Sequence, residues 1–533
     1  MYQPATLIQP KRRSHRRLPP SLALLGLAVN RDETRDRPYQ QIREAIRSSI
    51  ISGEVMAGHR LPPTREMSTA LGVNRATVMR AYQELAADGL VVSSGSRGTV
   101  VVRLDEDVFQ APSAVRSGTA VPGWLLTLPA IDDGGLRADA TLIRDIVLQS
   151  TRRDIISFAA ATPGPELIPT ELIEGAMAQG IAKWGPSVLG YGPVEGLEVL
   201  RDALKATVAG SMTRRGDGIM VVSGATQGLA LAARALIGPG DEVVVEAPTY
   251  VGILQTFSMA GARLFGVPVD RQGMRIDLLE TVLSRRKVRL IVVQPGFQNP
   301  TGSVMSMQRR EHLLLVARRY GVPVLEDDCY SSLAYGEAPP GSLKSIDRYG
   351  SVIYLSSFSK TISPGLRIGW VVAPEPVLSR LAVAKQFADL SSNGLGQAVV
   401  AELLNSGAYQ EHLVAVTAEY RRRRDVLMAA LANRLPQVVP LTVPTGGCHV
   451  WCHLECGAIA RLLAASAIRR GVALIPGEAF YPAASVRGET GQDWIRLSFP
   501  NVTPDNIPAG VDRLRQAFAD VPVALPANGG SRA

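Results

Sequence analysis

Cysteine is nearly absent: there are 4 in 533 residues. That is too few to staple a chain of this length, which excludes a disulfide scaffold and points to a reducing, cytoplasmic setting. No apolar run approaches the ~20 residues of a membrane helix. The longest, LALLGLAV at residues 22–29, follows KRRSHRRLPP and imitates the start of a secretory signal. Pro19 and Pro20 interrupt that junction and no small-x-small cleavage site follows before Arg31, so a basic tail with a short apolar anchor is the better reading. Internal repeats and low-complexity tracts are missing too. What is present is a globular composition, 46% hydrophobic and 20% charged, which excludes wholesale disorder. The length suggests roughly two to four domains.

Charge is unevenly spread. The net charge is +9, and residues 1–103 carry 16 Lys+Arg against 8 Asp+Glu, leaving 41 against 40 for the remainder. One end is a basic module of the kind that meets a polyanion, and the rest is neutral with no second basic patch expected. By composition, residues 1–35 read as tail, 36–103 as a compact module, 104–150 as a linker, 151–521 as a large domain and 522–533 as a second tail. In the large domain the runs IMVVSG, DEVVVEAP, RLIVVQPG, VPVLEDD, SVIYLSS and GWVVA alternate with helical stretches. Such alternation predicts an α/β domain with a largely parallel, buried sheet.

In the basic module, Ile42, Ile46 and Ile50 share one face of a helix predicted over residues 39–52, closed by Gly53. Thr64 is expected to cap a second helix with Met67 and Leu71 inward. Gly72-Val73 makes the turn, and Asn74 caps a third helix whose Val78, Ala81, Tyr82 and Leu85 form the apolar face. Arg75, Thr77 and Arg80 fall on or near its other side. After Gly89, LVVSSGSRGTVVV reads as a hairpin turning at Gly95-Ser96-Arg97-Gly98. Two short helices, a glycine turn and a β-ribbon make a winged helix-turn-helix. GHRLPPTRE followed by LGVNRATVMRAY resembles the GntR-type winged-helix domain. That resemblance implies that double-stranded operator DNA is met by Arg65, Arg75 and Thr77, with Arg97 in the wing. An arginine in the first turn of a capped helix suits the major groove.

Six motifs in the large domain sit at strand-to-loop junctions, where α/β folds hold ligands. In SSFSKTISPGLRIGW, Lys360 offers an amine that can form a Schiff base with an aldehyde cofactor. Ser357 and Arg367 can hold a dianionic phosphate, with Gly365 and Gly369 allowing the tight path. In VLEDDCY, Asp327 can keep a pyridine nitrogen protonated, and Tyr330 can bond the ring hydroxyl. Asn299, in Gln298-Asn299-Pro300-Thr301-Gly302, can donate to the same oxygen. Gly224, Ala225 and Thr226 start a helix, where free N–H groups bind phosphate. Tyr250 can stack on a planar ring, and Arg496 in WIRLSF suits a substrate carboxylate.

This set resembles the fold-type I pyridoxal-phosphate enzymes of the aspartate aminotransferase superfamily, in the aminoadipate and kynurenine aminotransferase branch, over about residues 155–520. The resemblance implies that Lys360 is the Schiff-base lysine, Asp327 pairs with the pyridine nitrogen, and Asn299 and Tyr330 bind the phenolic oxygen. It also implies that Ala225, Thr226, Ser357 and Arg367 hold the phosphate, Tyr250 stacks, and Arg496 binds the α-carboxylate. Tyr191 matches a residue that such dimers extend into the neighbouring subunit's phosphate site, and Cys329 stands where relatives often have proline. GntR-type head, linker and aminotransferase-like domain in this order resemble the MocR subfamily of bacterial transcription regulators. Membership implies pyridoxal 5'-phosphate, an amine or amino-acid effector and a head-to-tail homodimer.

GGCHVWCHLEC invites zinc through Cys448, His449, Cys452, His453 and Cys456. The segment reads as a strand, however, and at ~3.3 Å per residue Cys448 and Cys452 lie too far apart for one metal. Buried thiols are expected, and no metal. Three functions stay open: a regulator that senses its effector through the cofactor, a working aminotransferase carrying a DNA-binding domain, and a decarboxylase or lyase on the same scaffold.

Overall fold

The isoleucines at 42, 46 and 50 recur every fourth position, so a helix puts them on one edge. The computed structural model of the chain buries all three, in helix α1 (Pro38–Ile51). It describes residues 38–51, 59–87, 90–93, 99–101, 154–207, 214–455 and 459–521, with positions 55, 146, 148–150 and 152 besides. The chain divides into two compact units between Val108 and Phe109.

In the first unit, α2 (Thr64–Leu71) and α3 (Arg75–Ala87) follow α1, and β1 (Val91–Ser93) pairs antiparallel with β2 (Thr99–Val101). Met67, Val78, Ala81, Tyr82 and Leu85 join the isoleucines in one core, with Leu71 packed at its edge. Gly72 ends α2 at φ 64°, and its N–H reaches the Ser68 carbonyl. Asn74 Oδ1 accepts from the Ala76 N–H at 3.0 Å, as a cap should. Thr64, however, is not a cap. Pro63 holds the cap position, which leaves Thr64 as the first helical residue, and its Oγ1 accepts instead from Arg75 Nε at 3.2 Å. Gly53, Gly89 and the turn at residues 95–98, with Arg97, lie outside the described residues, as do both tails and residues 104–145.

The last positions of the expected linker, residues 104–150, include described residues. Positions 146, 148 and 149 are helical and Ile146 is 1% exposed. The second unit is built on a sheet of β3 (Asp217–Val222), β4 (Glu242–Ala247), β5 (Arg263–Asp270), β6 (Gly273–Met274), β7 (Val288–Val293), β8 (Val324–Asp327), β9 (Val352–Ser357) and β10 (Gly369–Pro374), in the order β3-β10-β9-β8-β7-β4-β5-β6. β3, β4, β7, β8, β9 and β10 each overlap a run expected from the sequence, whereas β5, the longest strand, overlaps none of them. The strands are almost wholly buried, because helices cover both faces. The sheet is mixed: β10 runs antiparallel to β9 and β3, and β6 to β5. The short return through residues 358–368 leaves no crossover helix, so β10 has to reverse direction. A second, antiparallel sheet contains β11 (His449–Leu454) and β12 (Trp494–Ser498), flanked by Val438–Pro440 and Ile475–Pro476. Within GGCHVWCHLEC, His449–Leu454 is a strand, with Cys448 and Cys452 buried and Cys456 outside the described residues. Among the described residues no group of His, Cys, Asp or Glu is placed to hold a metal, and no helix is long and apolar enough to cross a membrane.

Candidate functional site

The parallel strands deliver their carboxyl ends to one edge of the sheet. β3 leads to Gly224 and helix α4 (Ala225–Leu236), β4 to Tyr250, β7 to Gln294 and Asn299, β8 to Asp327, and β9 to Lys360. Ala225, Thr226, Tyr250, Asn299, Asp327, Tyr330, Ser357, Lys360, Arg367 and Arg496 all line one cavity of about 450 Å³ there. Tyr191 does not join them and stands 85% exposed. A larger cleft of about 800 Å³ elsewhere on the same unit holds none of these residues. Arg263, Arg285, Arg286 and Lys287 line it beside Asp241 and Glu242, so the neutral remainder does contain a basic cluster, hidden by averaging along the sequence.

Lys360 Nζ donates to the Ala161 carbonyl at 2.8 Å. Burial pushes its ammonium below the usual range, and the Arg496 cation adds to that. Asp327 is buried, accepting from Gln294 Nε2 at 2.8 Å and from Cys329 Sγ at 3.2 Å. Burial lifts its carboxyl to about 6, opposed by those two donors. Arg496 reaches Asn299 Oδ1 at 3.1 Å and the Ala159 carbonyl at 2.6 Å. Burial draws its guanidinium down to about 10.

At the other end of the cavity, Arg367 donates to the Ser223 carbonyl at 2.7 Å. Arg367 itself takes the left-handed conformation at φ 55°, a role the sequence assigned to nearby glycines. Gly365 has no positive φ, and a Cβ there would make only an ordinary contact, 3.5 Å from Ser363 Oγ. At Gly369 a Cβ would come within 2.7 Å of the Ser356 carbonyl oxygen. Ser357 Oγ accepts from the Ser359 N–H at 3.1 Å.

These residues fit a planar aldehyde cofactor with a phosphate tail. Arg496 lines the cavity, and its buried Nε has no hydrogen-bond partner among the described residues. A Cβ on Gly224, at φ 80°, would fall 2.7 Å from an Arg367 guanidinium nitrogen, so glycine lets that cation close on the start of α4. A helix start, a guanidinium and a serine form an anion cradle.

Four contributors escaped the sequence reading. Gln294 directly follows a strand and could have been found from that place. Ser359 lies inside the lysine motif. The backbone at 159–161 carries no side-chain signal. His449 was weighed only as a metal ligand, yet it bonds Tyr330. On the first unit, Arg65 and Arg75 are exposed and Thr77 is half-buried, all at the starts of α2 and α3. Arg80 is ion-paired with Glu84 at 3.3 Å.

The class I and II aminotransferase family matches residues 163–514, and the bacterial regulatory proteins of the gntR family match residues 38–101. An uncharacterized HTH-type transcriptional regulator of Bacillus subtilis, YdfD, is 32% identical over 89% of this chain and 95% of its own. The probable rhizopine catabolism regulatory protein MocR of Rhizobium meliloti is 29% identical over 92% and 96%. The crystal structure of LysN, an α-aminoadipate aminotransferase of Thermus thermophilus complexed with N-(5'-phosphopyridoxyl)-L-leucine, is 35% identical. It covers 74% of this chain and 98% of its own, with a TM-score of 0.67.

Proposed function

We propose a function from one premise: the chain belongs to the class I and II aminotransferase family and, through its fused gntR-family domain, to the MocR subfamily of bacterial transcription regulators. It is a DNA-binding regulator with an aminotransferase-like domain, and its cofactor is pyridoxal 5'-phosphate. That cofactor supplies an aldehyde for condensation with amines and a ring that draws electrons.

In our reading, Lys360 is the lysine that holds the cofactor covalently, Asp327 faces its ring nitrogen, and Asn299 and Tyr330 bind its phenolic oxygen. Tyr250 stacks on the ring. Ala225, Thr226, Ser357 and Arg367 take the phosphate, joined by Tyr191 from the neighbouring subunit of a head-to-tail homodimer. Arg496 takes the carboxylate of an amino-acid effector, whose amine competes with Lys360. Arg65, Arg75, Thr77 and Arg97 meet the operator in a bacterial cytoplasm, at the nucleoid. The observation that carries this reading is the meeting of Lys360, Asp327 and Arg496 in one cavity, with the lysine desolvated toward its reactive neutral form.

The test is a titration of the bound-cofactor spectrum with amines and amino acids, with and without the protein's own upstream DNA. An effector whose affinity changes with DNA supports the regulator. Coincident curves, together with steady transamination faster than about one turnover per second, would favour the second reading, a working aminotransferase. The completeness of the residue set is what keeps that reading alive.

A further inference from the structure

Behind the Tyr330 hydroxyl runs a buried file of hydrogen bonds that none of the roles above uses. His449 opens β11 and is 1% exposed. Its Nε2 lies 3.2 Å from the Tyr330 hydroxyl, and its Nδ1 lies 2.9 Å from Ser498 Oγ. The sheet sets this up, because His449 and Ser498 face each other directly across β11 and β12. The Tyr330 and His449 rings meet edge to face, with centroids 5.2 Å apart. Burial holds the imidazole neutral, and the Arg496 and Lys360 cations on its cofactor side act in the same direction. Tyr330 is likewise buried, with the Cys448 and Cys329 thiols and Tyr250 around it.

A neutral imidazole has one N–H and one bare nitrogen, so the file can point only one way at a time. Resting on the reading that Tyr330 binds the phenolic oxygen of the cofactor, we propose that Ser498, His449 and Tyr330 form a one-way relay in which Ser498 O–H donates to Nδ1, Nε2–H donates to the Tyr330 oxygen, and Tyr330 O–H donates to the cofactor. The direction follows from the end of the file. Tyrosine has a single proton, and spending it on His449 would turn bare lone pairs toward an oxygen that carries negative charge in a dry site. His449 is therefore a positioning residue. It commits the Tyr330 proton to the cofactor and favours the ionised phenolic oxygen without touching it.

The experiment uses the full-length protein loaded with pyridoxal phosphate and reads the ratio of the absorption bands of its ionised and protonated phenolic forms. His449→Leu should move that ratio toward the protonated form by about fivefold, the size of one neutral hydrogen bond. His449→Gln keeps an N–H that can reach Tyr330 and should restore most of the ratio. Ser498→Ala should shift it the same way by less. If His449→Leu does not fold, Ser498→Ala decides, and no shift there overturns the relay. Tyr330→Phe separates the two levels of the argument. A ratio moved by Tyr330→Phe but not by the His449 and Ser498 variants overturns the relay alone, whereas one moved by none of them overturns the placement of the cofactor oxygen at Tyr330. Nitrogen-15 chemical shifts of His449 add a check, since a proton on Nδ1 would reverse the proposed direction.

Discussion

Lys360 and Glu246 are both ionisable groups taken out of water, and they lead to different predictions. Lys360 lines the cavity and its ammonium is destabilised by burial, so it is poised as a nucleophile. Lys360→Ala protein is expected to lose the covalent cofactor band while still binding operator DNA, checked by absorption and by gel shift on one preparation. A mutant that stays yellow after dialysis would refute the assignment of that lysine. Glu246, at the end of β4, is buried, and burial lifts its carboxyl from 4.5 to about 8, although Gln298 and the Gln294 N–H donate to it. The folded state thus holds a proton that the unfolded state releases. Stability contributed by that proton is whole below about pH 4.5 and is lost as pH rises toward 8. Glu246→Gln should flatten part of this fall. It should raise stability at pH 8 by on the order of 2–4 kcal/mol and change little at pH 4.5, as measured by denaturant unfolding at both values. Of the residues involved, Lys360, Asp327 and Arg496 were legible because their motifs are chemically unusual at strand ends. Glu246 was not, because the run DEVVVEAP marks a buried strand without telling which of its carboxylates the tertiary structure seals from water.

At the scale of elements, α4 both builds the core and brings its first turn, Ala225 and Thr226, to the cavity beside Arg367. A Cβ on Gly228, in that helix, would come 2.3 Å from Cδ1 of the fully buried Leu355 on β9. Gly228→Val should therefore push the helix off the sheet, costing about 1–3 kcal/mol. It should also weaken pyridoxal phosphate retention more than Lys360-independent folding explains, read as the cofactor dissociation constant beside the melting temperature. Helix α3 invites the opposite experiment. Arg75 is exposed and its Nε bonds Thr64 Oγ1 on α2, a surface contact, so its loss should spare the fold. Arg75→Ala should weaken specific operator binding by about 1–3 kcal/mol and relax base preference, with the unfolding midpoint unchanged. Equal binding to operator and scrambled DNA in wild type and variant alike would remove Arg75 from the reading surface.

For the whole molecule the prediction is thermodynamic and independent of geometry. If an amine or amino acid changes operator affinity by a coupling of about 1–3 kcal/mol, operator must change the affinity for that effector by the same factor. Isothermal titration in both orders checks this, and unequal factors would mean that the two events are not linked in one equilibrium. By itself the sequence determined the winged head, most of the strands of the large sheet and the lysine motif. Those features rest on local periodicity, on turn chemistry and on reactive side chains at short spacing, which are properties of neighbouring residues. Only the tertiary structure decided that β10 runs backward, that Pro63 rather than Thr64 takes the cap position of α2, and that four basic residues share a cleft. It alone joined Gln294 to Asp327, and Ser498 through His449 to Tyr330, across 33, 49 and 119 positions of the chain. Contacts at such separations depend on sheet order and register, and no local pattern of residues encodes those.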